Sequence, residues 1–258
     1  MEIYIGTSGY SYADWVGTVY PEDTRQNEYL SLYAELFNFV EINFSYYAMP
    51  SARVLEGMQK TVDENFRFSL KGHRSMTHEK GEDLQALCSA FKEGTAPLRE
   101  AGSLVSVLLQ FPYSFHYNRD NRMHLDSLCS CLEGLPLHIE FRNTDWFQPR
   151  VVTELRKRSI GIVLSDYPAL EGLPDFSPRI SSPVAYVRFH GRNRENWWTG
   201  NNVSRYDYRY SSGELEERVP VLQQLASSAS VLLVAFNNHY KGQAVDNARE
   251  LIGLLEEE

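Results

Sequence analysis

A single (β/α)8 barrel of the TIM type, an α/β fold using residues 1–258 as one domain, is the architecture this sequence predicts. Short apolar, β-branched or aromatic runs alternate eight times with longer stretches of helical period. Such alternation implies parallel strands joined by right-handed crossovers. Eight strands fit a chain of 258 residues, and no linker, internal repeat or low-complexity tract divides it. An open doubly wound sheet is the rival. Its dinucleotide fingerprint is missing, because Gly6-Thr7-Ser8-Gly9 has the wrong spacing and runs into an aromatic loop.

The elements follow in order. A strand at 2–7 ends on Thr7 and Ser8, ahead of a loop carrying Tyr10, Tyr12 and Trp15. A helical pattern at 24–37 leads to a strand at 38–43, closing on Glu41 and Asn43. Helix 50–63 precedes strand 66–71, which ends on Lys71 and His73. Helix 82–101 precedes strand 104–110, ending on Gln110, and helix 121–133 precedes strand 136–141, ending on Glu140 and Arg142. After helix 148–158, strand 160–165 runs to Asp166. The Pro- and Gly-rich segment 166–183 then reads as an irregular connection with at most a short helical turn. Strand 184–190 ends near His190 and Arg192, and a long loop after this seventh strand reaches Tyr210. Helix 213–228, strand 231–237 ending at Asn237 and Asn238, and helix 241–256 complete the series.

Active sites of such barrels lie where the strands end, at the C-terminal mouth. Period 2 puts Glu41 and Asn43 on one face, His138, Glu140 and Arg142 on one face, and Arg188 with His190 on another. Their alternates are Val40 and Ile42, Ile139 and Phe141, and Val187 and Phe189, which suit the apolar helix layer outside a barrel. The charged sets should therefore point inward. Buried charge is costly unless paired or used, so a polar pocket of mixed charge is expected. Glu41 and Glu140 are candidates for acid/base work as a carboxylate pair, or for a structural ion-pair network with inward arginines. His190 is a candidate proton donor near neutral pH, or a hydrogen-bonded anchor. Lys71 suits a Schiff base if desolvation depresses its pKa, or an ion pair with Glu41 or Glu140. Glu41, Glu140, Asp166, His73, His190 and His239 are types that ligate zinc or manganese, so a divalent metal enters as a candidate cofactor, without any tight ligand spacing to support it.

Charge and composition narrow the partners. Lys and Arg total 25 against 34 Asp and Glu, a net charge of −9 that disfavours nonspecific grip on nucleic acid. Residues 188–209 run against this, with Arg188, Arg192, Arg194, Arg205 and Arg209 facing only Glu195 and Asp207. The same stretch contains Trp197, Trp198, Tyr206 and Tyr208, a mixture suited to sugars, bases, phosphates or a protein surface. Loops after strands seven and eight often hold phosphate. No run reaches the roughly 18 apolar residues of a membrane span, and no basic leader precedes the first strand. Three cysteines (Cys88, Cys129 and Cys131) without CxxC spacing suit a reducing cytoplasm, the expected location.

At these residues the chain resembles the YecE-like proteins, domain-of-unknown-function family 72. The resemblance rests on Ile5-Gly6-Thr7-Ser8-Gly9-Tyr10-Ser11-Tyr12 with Trp15 and Gly17, Val40-Glu41-Ile42-Asn43 with Tyr46-Tyr47 and Pro50, and Phe68-Ser69-Leu70-Lys71. It continues through Leu109-Gln110-Phe111-Pro112, Glu140-Phe141-Arg142 with Trp146, Tyr186-Val187-Arg188-Phe189-His190-Gly191-Arg192, and Phe236-Asn237-Asn238 with Gly242, Ala244, Asn247 and Ala248. Tyr10 and Ala235 depart slightly from the family pattern, where Trp and an aromatic are commoner. The resemblance implies a TIM-like barrel, similar in outline to endonuclease IV and the sugar isomerases, and implies no particular reaction.

The expectation is an enzyme, a hydrolase, lyase or isomerase, acting on a small phosphorylated or sugar-like anion. Glu41, Glu140 and His190 are its expected catalytic residues. Arg142, Arg188 and Arg192 would bind the anion, with Tyr12, Trp15, Trp198 and Tyr208 flanking it. Thr7, Ser8, Asn43, Lys71, Gln110, Asp166, Asn237 and Asn238 complete the expected ligand contacts. The alternatives are a metal-dependent nucleic-acid phosphodiesterase and a non-catalytic module that captures a metabolite or protein.

Overall fold

The apolar runs form eight parallel strands hydrogen-bonded in sequence order, with the eighth paired to the first so that the barrel closes. They are β1 (Glu2–Ser8), β2 (Phe39–Ile42), β3 (Arg67–Lys71), β4 (Leu104–Phe111), β5 (Leu137–Phe141), β6 (Gly161–Asp166), β7 (Val184–Phe189) and β8 (Val231–Phe236). The computed structural model describes residues 1–79, 83–201 and 203–256. Each expected strand is present with its ends within one or two residues of the sequence reading. Closure removes every exposed strand edge.

Helices α1 (Tyr29–Ala34), α2 (Phe44–Tyr47), α3 (Ala52–Thr61), α4 (Arg74–Thr77), α5 (Leu84–Glu100), α6 (Arg119–Cys131), α7 (Pro149–Lys157), α8 (Ser212–Glu216), α9 (Val219–Ser228) and α10 (Gln243–Glu256) lie between the strands. The helix expected at 213–228 is two helices, α8 and α9, with Pro220 in the first turn of α9. Proline has no N–H to continue a preceding helix, but it fits a helix start. The pattern at 24–37 forms a 3-10 turn at Gln26–Glu28 and the six-residue α1. The connection between β6 and β7 carries no helix, as its Pro/Gly content implies. Two short helices, α2 and α4, were not evident in the sequence. Both follow strand ends directly and stand at the mouth. No helix among the described residues is long and apolar enough to cross a membrane.

Alternation along each strand divides the core. Ile5, Val40, Ile42, Leu70, Leu109, Ile139, Val187 and Val234 face outward into the layer shared with the helices. Tyr4, Phe39, Leu108, Val163, Tyr186, Leu233 and Ala235 fill the barrel interior. This apolar plug excludes water from below, so any polar inward residue nearer the strand ends sits on a dry floor.

Gly6 is required where β1 meets β2. The Tyr33 hydroxyl is wedged between these strands, accepting from the Thr7 backbone N–H at 2.8 Å and donating to the Phe39 carbonyl at 2.9 Å. A Cβ on Gly6 would fall far inside van der Waals contact with that carbonyl oxygen and within 2.7 Å of the Tyr33 hydroxyl. Backbone cannot yield cheaply, so Gly6→Ala is expected to cost about 3 kcal/mol, the upper end for overpacking. Urea unfolding checks this. A loss below about 0.5 kcal/mol, the range of neutral surface changes, would show that the wedge adapts.

Candidate functional site

The inward positions above the apolar plug hold a buried ionic cluster contributed by β2, β5 and β7. Arg188 lies at its centre, 1% exposed. Its Nε and Nη2 donate to the two oxygens of Glu41, each at 2.7 Å, and Tyr186 Oη adds a third hydrogen bond to Glu41 at 2.6 Å. Arg188 Nη1 donates to Glu140, which also accepts from Tyr167 Oη at 2.8 Å and Arg142 Nε at 3.3 Å. Arg188 Nη2 reaches Ser8 Oγ at 3.5 Å. Period 2 places these side chains inside. The barrel's circumference then brings β2 and β5 within reach of one guanidinium, whose planar fork suits two carboxylates.

This geometry sets the protonation states. Burial alone would raise both glutamates. Arg188, with Tyr186 at Glu41 and with His190 and Arg142 at Glu140, overcomes it and holds Glu41 below, and Glu140 well below, the usual carboxylate range. Both are ionised near neutral pH and occupied by donors. His190 is fully buried, its ring stacked on Tyr167 with centroids 5.0 Å apart. Burial, with the adjacent Arg188 cation, pushes it down to about 4 against the opposing pull of Glu140. It is therefore a neutral imidazole, with Nδ1 accepting from Asn237 Nδ2 at 3.0 Å and Nε2 facing Glu140 Oε1 at 3.3 Å and Arg188 Nη1 at 3.2 Å.

Above the cluster opens a cavity of about 710 Å³ at the mouth. Of the residues expected to bind ligand, Tyr12, Asn43, Lys71, Gln110, Arg142, Arg188 and Asn237 line it. Glu41, Glu140, His190 and Ser8 lie against this wall without lining the cavity. The other expected contacts are placed elsewhere. Thr7 turns to Tyr33 and the Gly9 carbonyl. Trp15 is fully buried behind the wall, packed on Tyr12 and donating to the His239 carbonyl at 2.8 Å. Asp166 faces outward, where Arg192, Arg218 and Tyr210 all donate to it. Arg192 is consumed by Asp166 and Glu214, and Tyr208 donates to the same Glu214. Asn238 is tied to Asn247 and the Tyr208 carbonyl. Trp198 is half exposed against Tyr113.

Sequence reasoning missed Tyr46, Arg74, His78, Arg205, Tyr206 and His239 as lining residues. Tyr46 comes from α2. Tyr206 comes from the long loop after β7, whose aromatic and basic content was the available signal. The six candidate metal ligands do not form one group. Glu140 and His190 lie 3.3 Å apart, but Glu41 and Glu140 serve Arg188, Asp166 points away, His73 accepts from Ser75 N–H, and His239 stacks on Tyr12 at 4.4 Å. Among the described residues no three His, Cys, Asp or Glu side chains are grouped to hold a metal ion.

Charge on the cavity side is unbalanced. Lys71, Arg74, Arg142, Arg188 and Arg205 line the cavity against one lining carboxylate, Glu79, which pairs with Arg74, and against Glu41 and Glu140 behind the wall. The Lys71 ammonium makes no ion pair or hydrogen bond among the described residues and rests over the Tyr46 ring at 4.5 Å. Burial and the nearby Arg188 and Arg142 cations push the Lys71 ammonium down to about 8. Tyr206 accepts from Arg142 Nη2 at 3.1 Å. Burial opposes ionisation of this phenol, yet Arg142, with Lys71 and Arg188, brings it down to about 8. Burial, with the Lys71 and Arg142 cations, pushes His78 down to about 4. Gln110 Nε2, Asn43 Oδ1, Arg205 Nε and His239 Nδ1 are buried atoms of lining residues with no hydrogen-bond partner among the described residues.

The model of a family described as "Protein of unknown function DUF72" matches residues 4–258. The chain belongs to the DUF72 family. This DUF72 chain is 32% identical over 270 residues to the UPF0759 protein YunF of Bacillus subtilis, covering 98% of this chain and 95% of that one. It is similar to the crystal structure of a DUF72 protein from Thermotoga maritima, with a TM-score of 0.92, 36% identity and coverage of 99% and 100% of the two chains. A DUF72 structure from Enterococcus faecalis aligns with a TM-score of 0.85 at 28% identity, covering 98% and 95%. The TIM-like barrel is thus common to this chain and its relatives.

Proposed function

We propose that the mouth cavity binds a small phosphorylated or sugar-like anion and that the protein is an enzyme acting on it. The observation that carries this reading is the surplus of cations over carboxylates around a cavity that also holds unpartnered buried polar atoms. An unsatisfied buried polar group costs about 1–3 kcal/mol, a cost that a ligand's oxygens recover. Lys71, Arg142 and Arg205 would meet the anion, Gln110 and Asn43 its polar substituents, and Tyr12 and Tyr206 its faces. The acid/base work falls to Lys71 and Tyr206, because Glu41, Glu140 and His190 hold fixed protonation states. The two glutamates and Arg188 serve as a rigid charged floor. A phosphodiesterase on nucleic acid has less support, since the chain is acidic and its metal-ligand types are dispersed.

A thermal-shift panel of sugar phosphates, nucleotides, short oligonucleotides and divalent metals tests the reading. Native-state binding at a hundredfold excess over Kd adds about 2.7 kcal/mol, or roughly 5–10 °C for a chain of this size. Phosphorylated small molecules should shift the protein without added metal. A shift only with oligonucleotides and metal would favour the phosphodiesterase. Binding without product on long incubation would leave a ligand-binding module.

The proposed site makes binding pH-dependent. Above about 8 Lys71 loses its positive charge and Tyr206 gains a negative one, so both changes oppose an anion. Affinity for a sugar phosphate is expected to fall roughly tenfold or more between pH 7 and 9.5, as hydrogen bonds to charged groups contribute about 1.5–3 kcal/mol. Calorimetric titration across that range should show the decline. A flat profile would place the anion away from these two groups.

A further inference from the structure

We propose that Lys71 is a nucleophile that forms an imine with the carbonyl group of an anionic aldehyde or ketone bound in the mouth cavity. The inference rests on the anion-site reading and adds the substrate class, a carbonyl compound carrying phosphate or carboxylate. Three features of the cavity point to it. Arg142 and Arg188 already supply permanent positive charge, so a third, half-buried cation beside them is poorly placed if charge is its only role. Lys71 is the one cation of this set that can release a proton, because guanidinium stays charged. It also has no carboxylate partner among the described residues, while Arg188 takes both Glu41 and Glu140. Finally, the wall carries what an imine-forming amine needs around it. Tyr206 is a phenol held by Arg142, and Gln110 Nε2 is a buried donor without a partner among the described residues, 3% of the residue being exposed.

The groups acting on Lys71 come from every side of the mouth. Arg188 of β7 and Arg142 after β5 disfavour its charge, while Glu41 of β2 and Tyr206 of the loop after β7 favour it. The Tyr46 ring of α2 covers it. The balance leaves the ammonium near 8, where about half is free amine. An ordinary lysine near 10.4 is about 0.4% neutral at that pH, so Lys71 has roughly a hundredfold more reactive form.

The step balances without any oxidant or reductant. The neutral amine nitrogen adds to the carbonyl carbon, and the π pair moves to oxygen, which takes the proton of the Tyr206 phenol. The phenolate so formed removes a proton from nitrogen, and the restored phenol gives a proton to the new hydroxyl. The C–O bond then breaks, water leaves, and the nitrogen lone pair forms the C=N bond, leaving a protonated imine and the Tyr206 phenolate. Gln110 Nε2 would donate to the oxygen while it carries charge.

Reductive trapping tests the proposal. The full-length protein is incubated with glyoxylate, pyruvate or dihydroxyacetone phosphate, with sodium cyanoborohydride present, and adducts are located by peptide mass mapping. One of these probes should label Lys71 in strong preference to the other five lysines, with a rate that rises through about pH 8 and falls when inorganic phosphate competes. Lys71→Arg, whose guanidinium cannot form an imine, should lose the adduct. If a probe binds the unsubstituted protein but leaves no adduct on Lys71, the imine is overturned and the anion site stands. If none binds and none labels, both readings fall. Mapping in the unsubstituted protein keeps the result independent of how variants fold.

Discussion

Replacing Arg188 by Met is expected to cost about 3–5 kcal/mol of stability at pH 7, the range for removing one partner of a buried ionic set. At roughly 2–4 °C per kcal/mol for a chain of this size, melting should fall by about 6–20 °C. The cause is not the lost attraction alone. Glu41 and Glu140 are both 0% exposed, and without the guanidinium two carboxylates remain in a dry barrel. The pH dependence identifies this mechanism. In the wild-type protein both carboxyls are held below their ordinary range, so their stabilisation is present above the unfolded value, about 4.3, and is lost as pH falls through the folded value. In the variant the carboxyls move upward, and protonation relieves them. The gap between the two proteins should therefore narrow from pH 7 towards pH 4. The triple variant with Glu41→Gln and Glu140→Gln should recover part of the loss. Equal destabilisation at both pH values would mean that packing, not charge, is what Arg188 supplies.

Arg142→Met is expected to act on the ligand more than on the fold. Arg142 lines the cavity, and Glu140 keeps Arg188 and Tyr167 when it is lost. Losing one charged donor should weaken a bound phosphate by about 1.5–3 kcal/mol, roughly 10- to 150-fold in Kd. Titration calorimetry with inorganic phosphate and with the best sugar phosphate measures it. A second readout is independent of any ligand. Tyr206 ionises near 8 because Arg142 outweighs burial, so the variant's phenol should shift upward, out of the neutral range. Ultraviolet titration of phenolate should show one tyrosine fewer ionising around pH 8. An unchanged titration would mean that Arg142 does not govern Tyr206, and the proposed acid/base pair would lose its support.

Much of the site was legible because strand periodicity is a local rule. The run Leu137–Phe141 assigns Glu140 to the interior whatever the rest of the chain does, and the same holds for Glu41 and Arg188. At two strand ends the expected contacts include both members of a neighbouring pair: Ser8 adjoins the cluster while Thr7 turns outward, and Asn237 lines the cavity while Asn238 does not. At the sixth strand the outward member, Asp166, stands among them in place of Ser165, which belongs to the inward series. Applying period 2 strictly would have removed Thr7, Asp166 and Asn238. Trp15, Trp198 and Tyr208 could not be sorted this way, because loops have no period.

The amino-acid sequence by itself determined the eight parallel strands, the side each residue takes and the presence of a mixed-charge interior. These follow from steric alternation and from the cost of leaving apolar side chains in water, both of which act over a few residues. Only the closed barrel decided which charges meet. Glu41 and Arg188 are 147 residues apart in the chain, and Glu140 and Arg188 are 48. Their pairing consumes both carboxylates, leaves the Lys71 ammonium without an ion pair among the described residues and, with burial, keeps His190 neutral. Electrostatic energy depends on distance and on exclusion of water, and neither quantity exists until the strands have closed.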